Sequence, residues 1–140
     1  MAKIHFLNVG HGDCTIIEHN NGNLTMIDIN NGSELEEEDV KPILESLASN
    51  GSNYRAQVMA GQNKWKSWQT LLSEAGYNIE LTNPIEFLKS TYPNRSIFRY
   101  VQTHPDFDHM RGLAVLEAAG IEILNFWDTE HSRKWDDQKD

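Results

Sequence analysis

His104-Pro105-Asp106-Phe107-Asp108-His109 places two imidazoles and two carboxylates within six residues. Neutral imidazoles and carboxylates are ligands for divalent first-row metals. In an extended loop, residues two apart face the same way. His104, Asp106 and Asp108 therefore share a side, and His109 joins them where the loop turns into a helix. Without a cation the two carboxylates repel each other, and each is costly to bury. Pro105 removes a backbone donor and stiffens the loop. The bland alternative is a polar loop in which Asp106 or Asp108 only caps the next helix. Four ligand-type side chains at this density favour the metal reading.

The flanking segments position the cluster. Ser96-Ile97-Phe98-Arg99-Tyr100-Val101-Gln102 is rich in β-branched and aromatic residues and reads as a strand. Met110 to Ala119, with Gly120 next, reads as a short helix with a glycine C-cap. The cluster thus sits on a loop at the carboxyl end of a strand, where α/β proteins place chemistry. Near the start of the chain, Lys3–Val9, Cys14–His19 and Leu24–Ile29 read as three strands. A glycine turn through Gly10 and Gly12 joins the first two. Asn20-Asn21-Gly22-Asn23 gives a hairpin between the second and third. The third strand carries Asp28 to its carboxyl end.

With these residues in place, His104-x-Asp106-x-Asp108-His109 resembles the His-x-His-x-Asp-His signature of the metallo-β-lactamase superfamily, with Asp106 in place of the second histidine. Phe6-Leu7-Asn8-Val9-Gly10-His11-Gly12-Asp13, followed by Ile27-Asp28-Ile29-Asn30, resembles the opening of its branch of DNA-uptake competence hydrolase domains. The resemblance covers about residues 3–30 and 97–127. It implies an α/β (α+β) fold, an αββα sandwich of which this chain supplies mainly the N-terminal half. It also implies His104, Asp106, Asp108 and His109 as metal ligands, with His104 and Asp106 on one ion and Asp108 and His109 on a second. Asp28 is expected beside the metal loop as support for a ligand. Asp13 and His11, in the first turn, are expected to face the same site. The cofactor implied is zinc, one or two ions. The carboxylate of Asp106 is a harder ligand than imidazole, which opens the site to manganese, iron or magnesium.

The remainder is plainer. Glu34 to Asp39 carries five acids in six residues and reads as a solvated face. Lys41-Pro42 reads as a helix start, with Ile43, Leu44 and Leu47 on one face. Ser49 to Asn53 reads as a linker. Asn63 to Ala75, with Trp65, Trp68, Leu71 and Leu72, reads as an amphipathic helix whose tryptophans pack in the core. Tyr77, Ile79 and Leu81 alternate like a strand. Asn83-Pro84-Ile85-Glu86 opens a helix running to Thr91. Ile121 to Trp127 reads as a buried strand. Asp128 and His131 beyond it read as a surface turn.

A chain of 140 residues, 39% hydrophobic and 24% charged, is expected to form one domain over 1–140, incomplete at its C-terminus by the resemblance. A second copy or a partner chain would then complete the fold. The net charge of −9 argues against a broad basic surface for nucleic-acid backbones. Bound cations still allow a small-molecule or nucleic-acid phosphoester. The lone Cys14 reads as a small buried residue and suits a reducing compartment. No run is long enough for a bilayer, so no membrane partner is expected, and a cytoplasmic location is. The expected function is a metal-dependent hydrolase of phosphoester or phosphodiester bonds through a metal-bound water, with Asp108 the catalytic residue. The alternatives are a hydrolase of an acyl substrate and a non-catalytic binding or assembly module.

Overall fold

The structure, a computed structural model, describes residues 1–30, 34, 35, 37–49, 67–74 and 76–129. The elements in order are β1 (Lys3–Phe6), β2 (Thr15–Glu18), β3 (Leu24–Ile27), α1 (Glu37–Ser49), α2 (Trp68–Glu74), α3 (Pro84–Thr91), β4 (Arg99–Val101), α4 (Phe107–Met110), α5 (Leu113–Ala118) and β5 (Phe126–Trp127). The fold is mixed α+β. The strands form one sheet in the order β1-β2-β3-β4-β5. The first three pair antiparallel, and β3–β4 and β4–β5 pair parallel.

The hairpin and the crossover follow from the sequence. His19 N–H donates to Asn23 O (2.9 Å) and Gly22 N–H to His19 O (2.8 Å), closing the β2–β3 turn. Parallel partners need a long connection, and α1, α2 and α3 lie between β3 and β4. The Asn83 side chain caps α3 by accepting from Ile85 N (2.9 Å) and Glu86 N (3.2 Å). Leu24, Thr25 and Met26 of β3 are all buried, as expected of a strand covered on both faces. Ile16, Met26, Ile29, Ile97, Tyr100 and Leu116 form the main core. Leu35, Val40 and Leu72 form a smaller one, with Ile43 and Trp68 packed on it.

Four expectations are corrected. The first helix begins at Glu37, so part of the acidic run is its first turn, where carboxylates suit the helix dipole. Pro42 falls in the second turn and removes a single helical bond. Tyr77, Ile79 and Leu81 form no strand; Ile79 and Leu81 instead pack on the smaller core. The helix expected from Met110 to Ala119 is split into α4 and α5, because Gly112 N–H turns away to donate to Ile29 O (3.0 Å). Its glycine stop at Gly120 holds, with φ +73°. The strand expected over Ile121–Trp127 shrinks to β5 and a bridge from Ile97 to Ile123. It is also half exposed rather than buried, since β5 is the last strand of the sheet, with Phe126 and Trp127 each 52% exposed. Leu44 and Leu47 side chains, the 50–53 linker, Trp65 and the rest of 50–66, Ala75, and His131 with the 130–140 tail lie outside the described residues.

One contact ties the β1–β2 turn to the segment carrying His104 to His109. Gly12 has φ +112°, and a Cβ there would stand 2.2 Å from the backbone oxygen of Asp108. Gly12→Ala is therefore expected to cost about 2 kcal/mol or more. Gly76, also left-handed but with open space around it, should cost only about 1 kcal/mol as Gly76→Ala. Urea unfolding of the two variants checks the difference; equal costs would show that the turn does not press on the loop.

Candidate metal centre

The centre lies where β3 and β4 end side by side. Ile27 pairs with Val101 in register, so the residues that follow them meet: Asp28 on one strand, Gln102 and Thr103 on the other. Asp28 N–H donates to Val101 O (2.9 Å). The backbone of Asp28 then turns left-handed, with φ +54°, a conformation aspartate tolerates better than most residues. The turn sends its side chain inward, where it is 2% exposed.

A buried carboxylate must be met by donors, and Asp28 meets several. Thr103 N–H donates to Oδ1 at 2.7 Å, with Gln102 Nε2 further off at 3.4 Å. The Thr103 hydroxyl donates to Oδ2, and His109 Nδ1 lies 2.9 Å from the same oxygen. Gln102 Nε2 also donates to His104 O at 2.6 Å. Tyr100 Oη lies 2.8 Å from Gln102 Oε1 and 3.1 Å from His109 O. Burial, with Asp28 and Cys14 nearby, pushes the Tyr100 hydroxyl pKa up, so it remains a donor.

The loop holds its two imidazoles together. The His104 and His109 ring centroids are 4.8 Å apart. Asp28, His104 and His109 each bring a ligand atom within 4.8 Å of the others. Asp108 Oδ2 stands 3.5 Å from His109 Nε2 and 3.6 Å from His11 Nε2. Asp13 Oδ2 is 3.8 Å from His109 Nδ1. Five of the seven residues singled out from the sequence, namely His11, Asp13, Asp28, Asp108 and His109, thus approach one another through side chains, and the His104 ring lies tilted against that of His109, at 37°. Asp106 meets His109 through its backbone, His109 N–H donating to Asp106 O at 3.0 Å, and is not in the three-residue group.

Distances separate a proton from a cation. Two ligands of a tetrahedral ion at bonds of about 2.0–2.1 Å stand about 3.3–3.4 Å apart. The 2.9 Å between Asp28 Oδ2 and His109 Nδ1 is a hydrogen bond. The 3.5 Å between Asp108 Oδ2 and His109 Nε2 is a separation a shared ion fits. The residues present therefore suit a cation on the Nε2 side of His109, with Asp28 supporting the ring from behind.

The polar residues that hold this arrangement were not singled out from the sequence. Thr103, Gln102 and Asn30 are such residues. Asn30, 4% exposed, donates from Nδ2 to Val9 O (3.3 Å) and to His11 O, and from its backbone N–H to Asp13 O (3.1 Å). The available signal was position: polar residues at the ends of two strands that must pair, next to the ligand cluster. No protein-family profile matches the chain, and neither a curated protein nor a solved structure matches it.

Cys14, 3% exposed, has its thiol pushed up to about 12, chiefly by burial and then by Asp28 and Asp13. It is a core residue, and the native protein should resist thiol reagents at about pH 8, reacting only once unfolded. Burial disfavours the His109 imidazolium, but the Asp28 hydrogen bond and the charges of Asp108, Asp28 and Asp13 outweigh it and raise its pKa. In the chelator-treated protein this stabilisation is full below the unfolded value of about 6.5 and is lost as pH rises through the higher folded value. Urea unfolding from about pH 6 to about pH 9 should show the parent losing its advantage over His109→Gln. A constant difference would show that His109 is not coupled to these carboxylates.

Proposed function

We propose that the chain is a metal-dependent hydrolase of the metallo-β-lactamase type, acting on phosphoester or phosphodiester bonds. The observation that carries this reading is the two-sided environment of His109: Nδ1 against buried Asp28, Nε2 against Asp108. The resemblance in the two motifs supplies the reaction class and the phosphate preference. The sheet and its helices are read as one half of an αββα sandwich. In this reading His104 and Asp106 hold one ion, and Asp108 and His109 a second. Zinc is the first candidate; manganese or iron suits the carboxylate-rich set. A bound divalent cation would acidify a water and stabilise the oxygens of a phosphoryl transition state.

The chain's own residues do the rest. In this reading Asp108 would also orient the attacking water when the second ion's position is empty. His104 and His109 would offer ring nitrogens to the ions, and Asp28, 2.9 Å from His109 Nδ1, holds that ring so that no reorganisation is needed at the moment of reaction. The single cysteine supports a cytoplasmic location. Among the described residues, no helix is long and apolar enough to cross a membrane.

Exposed apolar side chains favour a second reading, a docking or assembly module. Ile4 and Phe6 of β1 are 56% and 80% exposed, and Leu124, Phe126 and Trp127 crowd the opposite edge. A partner or second copy would cover them.

Plasma mass spectrometry of the purified chain tests the first reading. The parent should carry near-stoichiometric zinc, manganese or iron, lost in His109→Ala and kept in His19→Ala, where the ring only meets Thr25 Oγ1 at 2.8 Å. Cleavage of bis(p-nitrophenyl) phosphate should fall by about 100-fold or more in Asp108→Ala. Cleavage of a lactam or thioester instead would move the substrate to the acyl class. A folded parent with neither metal nor phosphodiester cleavage would remove the enzyme reading and leave the module.

A further inference from the structure

Thr103 is placed to do more than end a strand. Its hydroxyl carries one proton and has two polar neighbours, Asp28 Oδ2 and His104 Nδ1, the latter at 2.8 Å. The Asp28 carboxylate only accepts. The hydroxyl proton therefore points at Asp28, and the oxygen turns its lone pair toward His104. His104 Nδ1 must then be the donor. The same count applies to His109, whose Nδ1 faces Asp28 Oδ2 directly at 2.9 Å.

We propose that Thr103 is a positioning residue: its hydroxyl relays the Asp28 carboxylate to His104, so that one buried acid sets the tautomer of both imidazoles. The protons run in one sense, from His104 Nδ1–H to Thr103 Oγ1, from Thr103 Oγ1–H to Asp28 Oδ2, and from His109 Nδ1–H to the same oxygen. Both rings are held as Nδ1–H tautomers, and both Nε2 lone pairs are left to a divalent cation. The rest of Thr103 keeps the relay in register. Its N–H donates to Asp28 Oδ1 at 2.7 Å, so the backbone is anchored to the acid that its own side chain serves. The neighbouring Gln102 holds His104 O at 2.6 Å, which fixes the backbone of the ring being relayed.

The arrangement also explains a difference between the two histidines. His109 is mostly covered, with 14% of its side chain exposed, and reaches the acid unaided. His104 is exposed, and water competes for its Nδ1. A fixed hydroxyl at 2.8 Å gives that nitrogen a defined acceptor where a free surface histidine would exchange tautomers. Neither a helix cap nor a strand-end turn requires such a bond.

The consequence for cation binding rests on the metal reading above; the tautomer assignment does not. The test uses Thr103→Val, which keeps the shape and the backbone N–H but loses the hydroxyl, and Thr103→Ser, which restores it. Long-range proton–nitrogen correlation spectra of the imidazoles are recorded on the chelator-treated full chain at about pH 8.5, about two units above the ordinary imidazole value. His104 should be Nδ1–H in the parent and in Thr103→Ser, and should become a mixture or Nε2–H in Thr103→Val. His109 should remain Nδ1–H in all three, which also shows that Thr103→Val is folded at the site. Cobalt(II) titrated into the same samples should bind about 10–100-fold more weakly to Thr103→Val, with Thr103→Ser near the parent. An Nε2–H His104 in the parent, or an unchanged His104 in Thr103→Val, overturns the relay. If the tautomers behave as stated and cobalt binds none of the three proteins, the relay stands and the metal reading falls. If cobalt binds the parent and Thr103→Val equally while the tautomer shifts, the relay exists but does not position a ligand, and the proposal fails.

Discussion

A single buried carboxylate organises this protein. Asp28 is 2% exposed, and it is surrounded by donors from one short stretch of chain: Gln102, Thr103 and His109. Charge-assisted hydrogen bonds are stronger than neutral ones, and burying the acid without them would cost several kcal/mol. The ends of β3 and β4 are therefore locked together by the need to satisfy this group. The left-handed backbone at Asp28, with φ +54°, persists because the surrounding bonds over-determine it.

The lock propagates outward by close contact rather than by charge alone. Ile29 N–H donates to His109 O at 2.8 Å, and Gly112 N–H returns a bond to Ile29 O at 3.0 Å. The loop after β4 is thus stitched to the chain leaving β3. A Cβ on Gly112 would sit 2.5 Å from Ile29 Cγ1, so this approach requires glycine. On the other side Asn30 reaches back to Val9 and His11, and Gly12 lies against Asp108. The first turn, the end of β3 and the histidine loop form one packed junction. It holds His11 and Asp13 of the turn against Asp108 and His109 of the short helix α4.

The chemistry proposed for the site depends on that rigidity. Metal ligands work when their rings are oriented before the ion arrives and when their outer nitrogens are already occupied. His109 meets both conditions through Asp28. The acids around it would repel one another if brought together alone, and a cation relieves the repulsion. Exposed apolar residues lie on both edges of the sheet, Ile4 and Phe6 on β1 and Phe126 and Trp127 on β5.

How much of this was legible in the sequence follows from range. The hairpin at Asn20–Asn23, the cap at Asn83, the stop at Gly120 and the buried Cys14 are local preferences, and each is found where the residues place it. The cluster of two imidazoles and two carboxylates was legible because its members are adjacent in the chain. The strand-end position of Asp28 was legible locally, its expected place beside the histidine loop came from the family resemblance, and nothing local says how many donors it takes. What tertiary structure decided are the contacts between segments about seventy-five residues apart, such as Asp28 with Thr103. The break between α4 and α5, the half-exposed β5, and the roles of Thr103, Gln102 and Asn30 all arise from partners that no window of sequence contains. Residue types and spacing determined which groups were available to bind a cation. Only the parallel pairing of β3 and β4 determined which nitrogen of His109 faces the acid behind it and which faces outward.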